Sequence, residues 1–91
     1  EPGYYKQGAY GIRIENLIVV RPHPLPGAER EMHGFETITF APYCRALIER
    51  SLLALDEIDW IDGYHRQVLD KIGPLVEGGT AKWLAAACAP L

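Results

Sequence analysis

The spacing of apolar and polar positions predicts β-strands in the first part of the chain. Tyr4 and Tyr5 are favourable strand residues, and Gly8 follows them as a turn residue. The clearest strand is predicted over residues 12–20, where β-branched side chains are abundant.

A second run of β-branched and aromatic residues predicts another strand over residues 35–40. The stretch between, residues 21–34, contains three prolines at alternate positions and is predicted to be an exposed hairpin loop. His23 and His33 lie in it and are interpreted as solvated histidines. Because no crossover helix fits in this connection, the strands it joins are predicted to pair antiparallel.

The period then changes from two residues to that of a helix. After an irregular stretch near Leu47 and Leu52, a helix is predicted from about Leu55 to Ile72, ended by Gly73-Pro74. Its apolar stripe repeats at i, i+3 and i+4. The stripe consists of Ile58, Ile61, His65, Val68, Leu69 and Ile72, and Trp60 and Tyr64 widen it. His65 is therefore predicted to be a buried, hydrogen-bonded core residue.

A shorter helix is predicted over residues 81–88, after a break at Gly78-Gly79 and with Thr80 as its N-cap. Its inner face is predicted to carry Trp83, Leu84 and Ala87. For both tryptophans, Trp60 and Trp83, a place in the core is favoured over a role as an interface anchor.

Strands followed by helices indicate an α+β fold. Residues 1–42 are predicted to be sheet from one domain, and residues 43–91 a helical appendage to it. The chain opens with a potential ligand at residue 1 and without Met, which predicts a piece of a longer protein.

Composition excludes some functions and leaves others open. The net charge of −3 over 91 residues, with no lysine or arginine cluster, does not favour binding to nucleic acid. No apolar run approaches the roughly 20 residues that a membrane span needs. Cys44 and Cys88 are too few for a disulfide framework or a zinc knuckle, so reduced thiols are expected.

Glu15 is the residue in the predicted strands that most needs an explanation. Alternation places Arg13 and Glu15 on one face of a segment that is otherwise suited to burial. A buried carboxylate is costly unless it is paired or binds a metal. From the residues alone, two interpretations remain: an ion pair with Arg13 or another base, or a metal ligand.

Two motifs resemble a known family. Glu1-Pro2-Gly3-Tyr4-Tyr5, followed by Gly11-Ile12-Arg13-Ile14-Glu15-Asn16, is similar to the end of the catalytic domain of Xaa-Pro aminopeptidases (aminopeptidase P). These are "pita-bread" metallopeptidases, like methionine aminopeptidase and creatinase. The resemblance continues to Leu91 and matches the larger, cytosolic type. It implies the antiparallel end of a pita-bread catalytic domain over residues 1–42, followed by a helical C-terminal extension over residues 43–91.

The resemblance also implies a site. The family binds two divalent metal ions, usually manganese, cobalt or zinc, through two aspartates, one histidine and two glutamates. Carried over by motif, Glu1 and Glu15 are metal ligands, and Glu1 is also a proton acceptor for the attacking water. Arg13 would hold the ligands in place from outside the coordination sphere. None of the three histidines lies in a matching context.

The implied activity is removal of an N-terminal residue that precedes proline, by a cytoplasmic enzyme that is expected to be a homodimer. Its substrates would be peptides with proline in second position. The 91 residues alone hold two of five ligands, so they are expected to be inactive and to bind no metal. The alternative is that residues 43–91 form a non-catalytic interaction module that supports dimerisation.

Overall fold

The computed structural model describes residues 3–91, which form two compact units. The first unit ends at Thr39, and the second comprises Phe40–Leu91. Strands occur in the first unit and helices in the second, so the predicted α+β class is confirmed. The regular elements are β1 Gly3–Lys6, β2 Tyr10–Arg13, β3 Ile18–Pro22, β4 His33–Thr37, α1 Leu55–Ile72 and α2 Gly78–Ala87.

The first unit contains two antiparallel hairpins. In the first hairpin β1 pairs with β2, with Gly3 opposite Arg13 and Tyr5 opposite Gly11. The turn is closed by the Ala9 N–H, which donates to the Lys6 carbonyl at 3.0 Å. Gly8 has a φ of 72° in this turn, a conformation that residues with a Cβ rarely adopt.

The second hairpin pairs β3 with β4, and Val20 lies opposite Phe35. This confirms the antiparallel pairing predicted for the two β-branched segments. The strands reach further into the connection than expected, because Pro22 still pairs with His33. The irregular loop is accordingly shorter than the predicted 21–34.

The single strand predicted over residues 12–20 is wrong. The chain leaves β2 after Arg13 and enters β3 at Ile18, and the two strands belong to different sheets. Between them the Leu17 N–H donates to the Thr39 hydroxyl at 2.8 Å. β-Branched residues identify strand-forming segments, but the hydrogen-bonding partner of each half is set by distant residues.

The expectation that this segment is suited to burial is also wrong for the described residues. All of β2 is exposed, and Ile14 and Leu17, which follow it, are 66% and 70% exposed. A buried strand therefore does not explain Glu15.

The core of the second unit lies between its two helices. Its buried members are Tyr64, Val68, Leu84 and Cys88. Helix α1 has the predicted bounds, Leu55–Ile72, and is followed by a 3-10 turn at Gly73–Leu75. The irregular stretch before it contains the single 3-10 turns Arg45–Leu47 and Arg50–Leu52, as expected.

Helix α2 begins earlier than predicted. It starts at Gly78, preceded by Glu77 in the N-cap position, so Thr80 lies inside the helix and is not its cap. Gly78 has a φ of 57°, a backbone conformation that glycine adopts readily. The predicted break at this glycine is therefore the point at which the chain changes direction and α2 begins.

The inner face of α2 is defined by Leu84 and by Cys88, the C-cap residue one turn further on. Trp83 is 60% exposed, so its predicted place in the core is wrong, and Ala87 is half-buried. Cys44 and Cys88 are both free, as expected, and burial raises the pKa of the Cys88 thiol. Within residues 3–91, neither helix is long and apolar enough to span a bilayer.

Candidate metal centre

Arg13 and Glu15 meet at the end of the first hairpin. The Arg13 Nε lies 3.0 Å from a Glu15 carboxylate oxygen, and the two side chains are 54% and 50% exposed. The proximity predicted from the sequence is present, although Glu15 lies beyond the end of β2. Glu15 is thus an ion-paired carboxylate with half of its surface open.

Tyr5 lies on the same hairpin as this pair. A Cβ at Gly3 or at Gly11 would come within 2.9 Å of the Tyr5 ring. A Cβ at Gly11 would also lie 3.5 Å from the Arg13 Nη1. The two glycines therefore leave room for the ring to pack flat against the strands, beside the guanidinium that contacts Glu15. Tyr5 was predicted only as a strand residue, although an aromatic residue opposite a strand glycine is a usable sequence signal for this packing.

Glu1 lies outside the described residues. Its assignment as a metal ligand and proton acceptor stays a prediction.

The other candidate ligands are dispersed. His33 lies in β4, half exposed and 3.7 Å from Glu31, and His23 is exposed. His65 is fully buried in α1 and hydrogen-bonded, as predicted. No group of three histidine, cysteine or acidic side chains that could hold a metal ion occurs in residues 3–91. The chemistry of Glu15 fits a hard divalent cation, but the described residues do not form a complete metal site.

A family model described as the C-terminal region of peptidase M24 matches residues 31–91. The chain belongs to this family. The match covers the second hairpin's last strand and the whole helical unit, whereas Glu15 and the first hairpin lie before it. Those earlier residues are covered by the similarity to individual proteins.

Curated relatives align with nearly all of the chain. It is 41% identical, over its full length, to a probable Xaa-Pro aminopeptidase P of Laccaria bicolor. It is 46% identical to aminopeptidase P2 of Arabidopsis thaliana over 92% of its length. The chain spans only 15% and 12% of these two relatives.

A solved structure has the same fold. It is the X-prolyl aminopeptidase of Caenorhabditis elegans, described as a cytosolic enzyme with a di-nuclear active site. The TM-score is 0.80 at 35% identity, over 99% of this chain and 15% of that one. The resemblance to Xaa-Pro aminopeptidases, and the fold that it implies, are confirmed. The boundary between residues 42 and 43 stays a prediction.

Proposed function

We propose that this chain is the C-terminal part of a dinuclear-metal exopeptidase that releases the N-terminal residue preceding proline. The observation that carries the proposal is the Arg13–Glu15 pair at the end of the first hairpin, in a chain about 40% identical to Xaa-Pro aminopeptidases. An exposed carboxylate held by an arginine is a suitable metal ligand, because half of the Glu15 side chain stays open to solvent.

The first motif supports a role for both glutamates. Glu1, which the structure does not describe, belongs to the Glu1-Pro2-Gly3-Tyr4-Tyr5 motif that resembles Xaa-Pro aminopeptidases. We therefore propose that Glu1 binds the same metal ions as Glu15.

The roles of the residues follow from their chemistry. A bound pair of divalent ions supplies an activated water and polarises the scissile carbonyl. Glu1 and Glu15 would hold the ions, and Glu1 would accept the proton of the water. Arg13 would fix the orientation of the Glu15 carboxylate. Manganese is the metal that we propose, with cobalt and zinc as alternatives, and the enzyme is proposed to be cytoplasmic.

The test uses a chimera in which this chain replaces the matching C-terminal segment of the Caenorhabditis elegans enzyme. We expect the chimera to hydrolyse an Ala-Pro dipeptide in the presence of Mn²⁺. Glu15→Gln should lower kcat more than about 100-fold, and Arg13→Lys about 10- to 100-fold, the range found for residues that support metal ligands.

The second hairpin offers a matched control. Glu36 also pairs with an arginine, Arg21, at 2.7 Å, and their side chains are exposed to a similar degree, 53% and 60%. Glu36→Gln should leave kcat within about threefold of the chimera. Equal activity of the Glu15→Gln and Glu36→Gln chimeras would overturn the proposal.

The 91-residue chain alone is proposed to be inactive, because its described residues include no complete metal site. Incubation of the chain with Ala-Pro and Mn²⁺ should release no alanine. Turnover that disappears in the Glu15→Ala variant would contradict this.

A second candidate function is support of homodimerisation by the helical unit. Trp60 and Trp83 are 56% and 60% exposed, which contradicts the core placement favoured from sequence and leaves the interface interpretation. Sedimentation of the chain without metal should then show a dimer, and a Trp60→Ser, Trp83→Ser double variant should be monomeric. A chain that stays monomeric at high concentration would exclude this function.

A further inference from the structure

His65 is the most completely buried polar side chain of the described residues. It has no solvent-accessible surface, and its Nε2 accepts a hydrogen bond from the Tyr43 backbone N–H at 3.1 Å. Its Nδ1 has no hydrogen-bond partner within residues 3–91. A titratable ring is thus held in the core by one backbone contact.

Tyr64, which precedes His65 in α1, binds the backbone at Ala41, two residues before Tyr43. Its hydroxyl donates to the Ala41 carbonyl at 2.9 Å and accepts from the Ala41 N–H at 3.3 Å. Pro42 has no N–H to offer. Both backbone donors in residues 41–43 are therefore bound by two adjacent side chains of α1. We call Tyr64, His65 and the segment 41–43 the latch.

The Tyr43 contact fixes the protonation state of His65. A backbone N–H can only donate, so Nε2 must be unprotonated and the neutral ring must carry its hydrogen on Nδ1. An added proton would go to Nε2, where it would face the Tyr43 N–H donor to donor. Protonation and the Tyr43 hydrogen bond therefore exclude each other.

The surroundings of His65 favour its neutral form. Burial, and next the positive charge of Arg45, lower the pKa of His65, while the negative charge of Asp62 opposes them. Arg45 donates to the carbonyls of Ala89 and Pro90, and Asp62 accepts from the Leu91 N–H at 2.9 Å. Both charges are thus held in place by the end of the chain.

Among the described residues, Asp62 is the only one whose negative charge raises the pKa of His65. The rings of Tyr43 and Tyr64 each lie 6.0 Å from the His65 ring. From α2, the core receives the Cys88 thiol, whose pKa is raised by burial, so that it stays uncharged at neutral pH.

We propose that the latch is acid-sensitive: protonation of His65 breaks its bond to Tyr43 and weakens the attachment of residues 41–43 to α1. These residues directly follow Phe40, the first residue of the helical unit. The latch belongs to the helical unit alone.

The sign of the effect follows from linkage. The pKa of His65 is lowered in the folded state, so below about pH 6.5, its usual value, the unfolded chain binds more protons than the folded one. The stability from this group is complete above about pH 6.5 and is lost as the pH falls toward the lowered pKa.

The experiment compares urea unfolding of the 91-residue chain at pH 7.5 and pH 5.5, followed by far-ultraviolet circular dichroism. One titrating histidine raises the unfolding constant by up to about tenfold over this interval. His65→Gln keeps an acceptor for the Tyr43 N–H but does not titrate, so this rise should be absent. His33→Gln, at a half-exposed histidine of β4, should keep the full rise. An equal rise in the wild-type and His65→Gln chains would overturn the proposal.

A second measurement serves if His65→Gln does not fold. Long-range ¹H–¹⁵N spectra of the wild-type chain should show hydrogen on Nδ1 and none on Nε2 at pH 7.5. After division by the intrinsic exchange rate, which itself falls with pH, the protection of the Tyr43 amide should drop on acidification more than that of the Val19 amide, which belongs to a hydrogen-bonded pair of β3 and β4. Hydrogen on Nε2 at pH 7.5, or equal changes at both amides, would exclude the latch.

Discussion

Val68 has no solvent-accessible surface and lies among the core residues that α1 and α2 share. Its neighbours in this core include Leu84 and Cys88 from α2. The buried cluster contains four of the residues that the structure describes, so each contributes a large share of the packing between the helices. A cavity at Val68 should therefore lower the stability of the whole second unit.

Val68→Ala should lower the free energy of unfolding by about 2 kcal/mol, from two lost methyl groups and the cavity that they leave. Urea denaturation measures the change. Leu52→Ala is the control, because Leu52 is 81% exposed, and its effect should be within about 0.5 kcal/mol of zero. Equal losses in the two variants would contradict the placement of Val68 in the core.

Glu49 is a surface residue with a local pH response. Its carboxylate accepts from the Ser51 hydroxyl at 2.6 Å and from the Ser51 N–H at 3.1 Å. Both hydrogen bonds lower the pKa of Glu49, and the bond from the Ser51 hydroxyl has the larger effect. The contribution of this turn to stability is present above the usual glutamate pKa and is lost as the pH falls through the lowered one.

Ser51→Ala should therefore raise the pKa of Glu49 toward its usual value, because the stronger bond is lost. A ¹³C-detected titration of the Glu49 carboxyl measures this. Ser51→Thr keeps the hydroxyl and should leave the pKa low. The interpretation would be wrong if Ser51→Ala and Ser51→Thr gave the same titration curve.

Elements whose signals are local were predicted well from the sequence. Helix α1 has both predicted ends because an acidic first turn and Gly73-Pro74 lie within a few residues of them. The pairing of β3 with β4 was also predictable, since a loop joins them directly. The strand over residues 12–20 was not, because its first residues pair with β1 and its last residues with β4, and the alternation of side chains does not encode the pairing partner.

The start of α1 depends on Glu57. Ala54, the N-cap, has no side-chain acceptor, so the cap consists of the Glu57 carboxylate accepting from the Ala54 N–H at 2.9 Å. Glu57→Ala should destabilise the second unit by about 0.5–1 kcal/mol, through the lost bond and the lost charge near the helix N-terminus. Glu57→Gln retains an acceptor and should cost less than half of that. Thermal unfolding followed at 222 nm separates the two, and a Gln variant as unstable as the Ala variant would argue against the bond.

At the scale of the whole molecule, the sequence predicted the proximity of Arg13 and Glu15 but not their exposure. Alternation along a strand places the two side chains on one face, and they do form an ion pair. Exposure depends on what packs against the hairpin, which no periodicity encodes. The proposed metal role of Glu15 rests on the family resemblance, since the described residues bring no other ligand set to it.

The metal affinity of the chain should depend on the rest of such an enzyme. Mn²⁺ titrated into the 91-residue chain, followed by electron paramagnetic resonance of the free ion, should show no saturation where the chimera saturates. The chimera carrying Glu15→Gln should release part of its metal, whereas Glu36→Gln should retain it. Saturation of the isolated chain at the same concentrations would mean that it holds a complete site.

The stacked rings of the second unit have an optical consequence. The Trp60 indole lies parallel to the Tyr64 phenol, with 5.6 Å between ring centres and 4° between planes, and Tyr64 stacks in turn on Tyr43 at 5.0 Å. Transition dipoles at such separations in a fixed chiral arrangement couple and give a strong near-ultraviolet circular dichroism band. The Tyr64 hydroxyl also hydrogen-bonds to Ala41. The intensity of this band therefore reports, without a label, whether residues 41–43 are bound to α1.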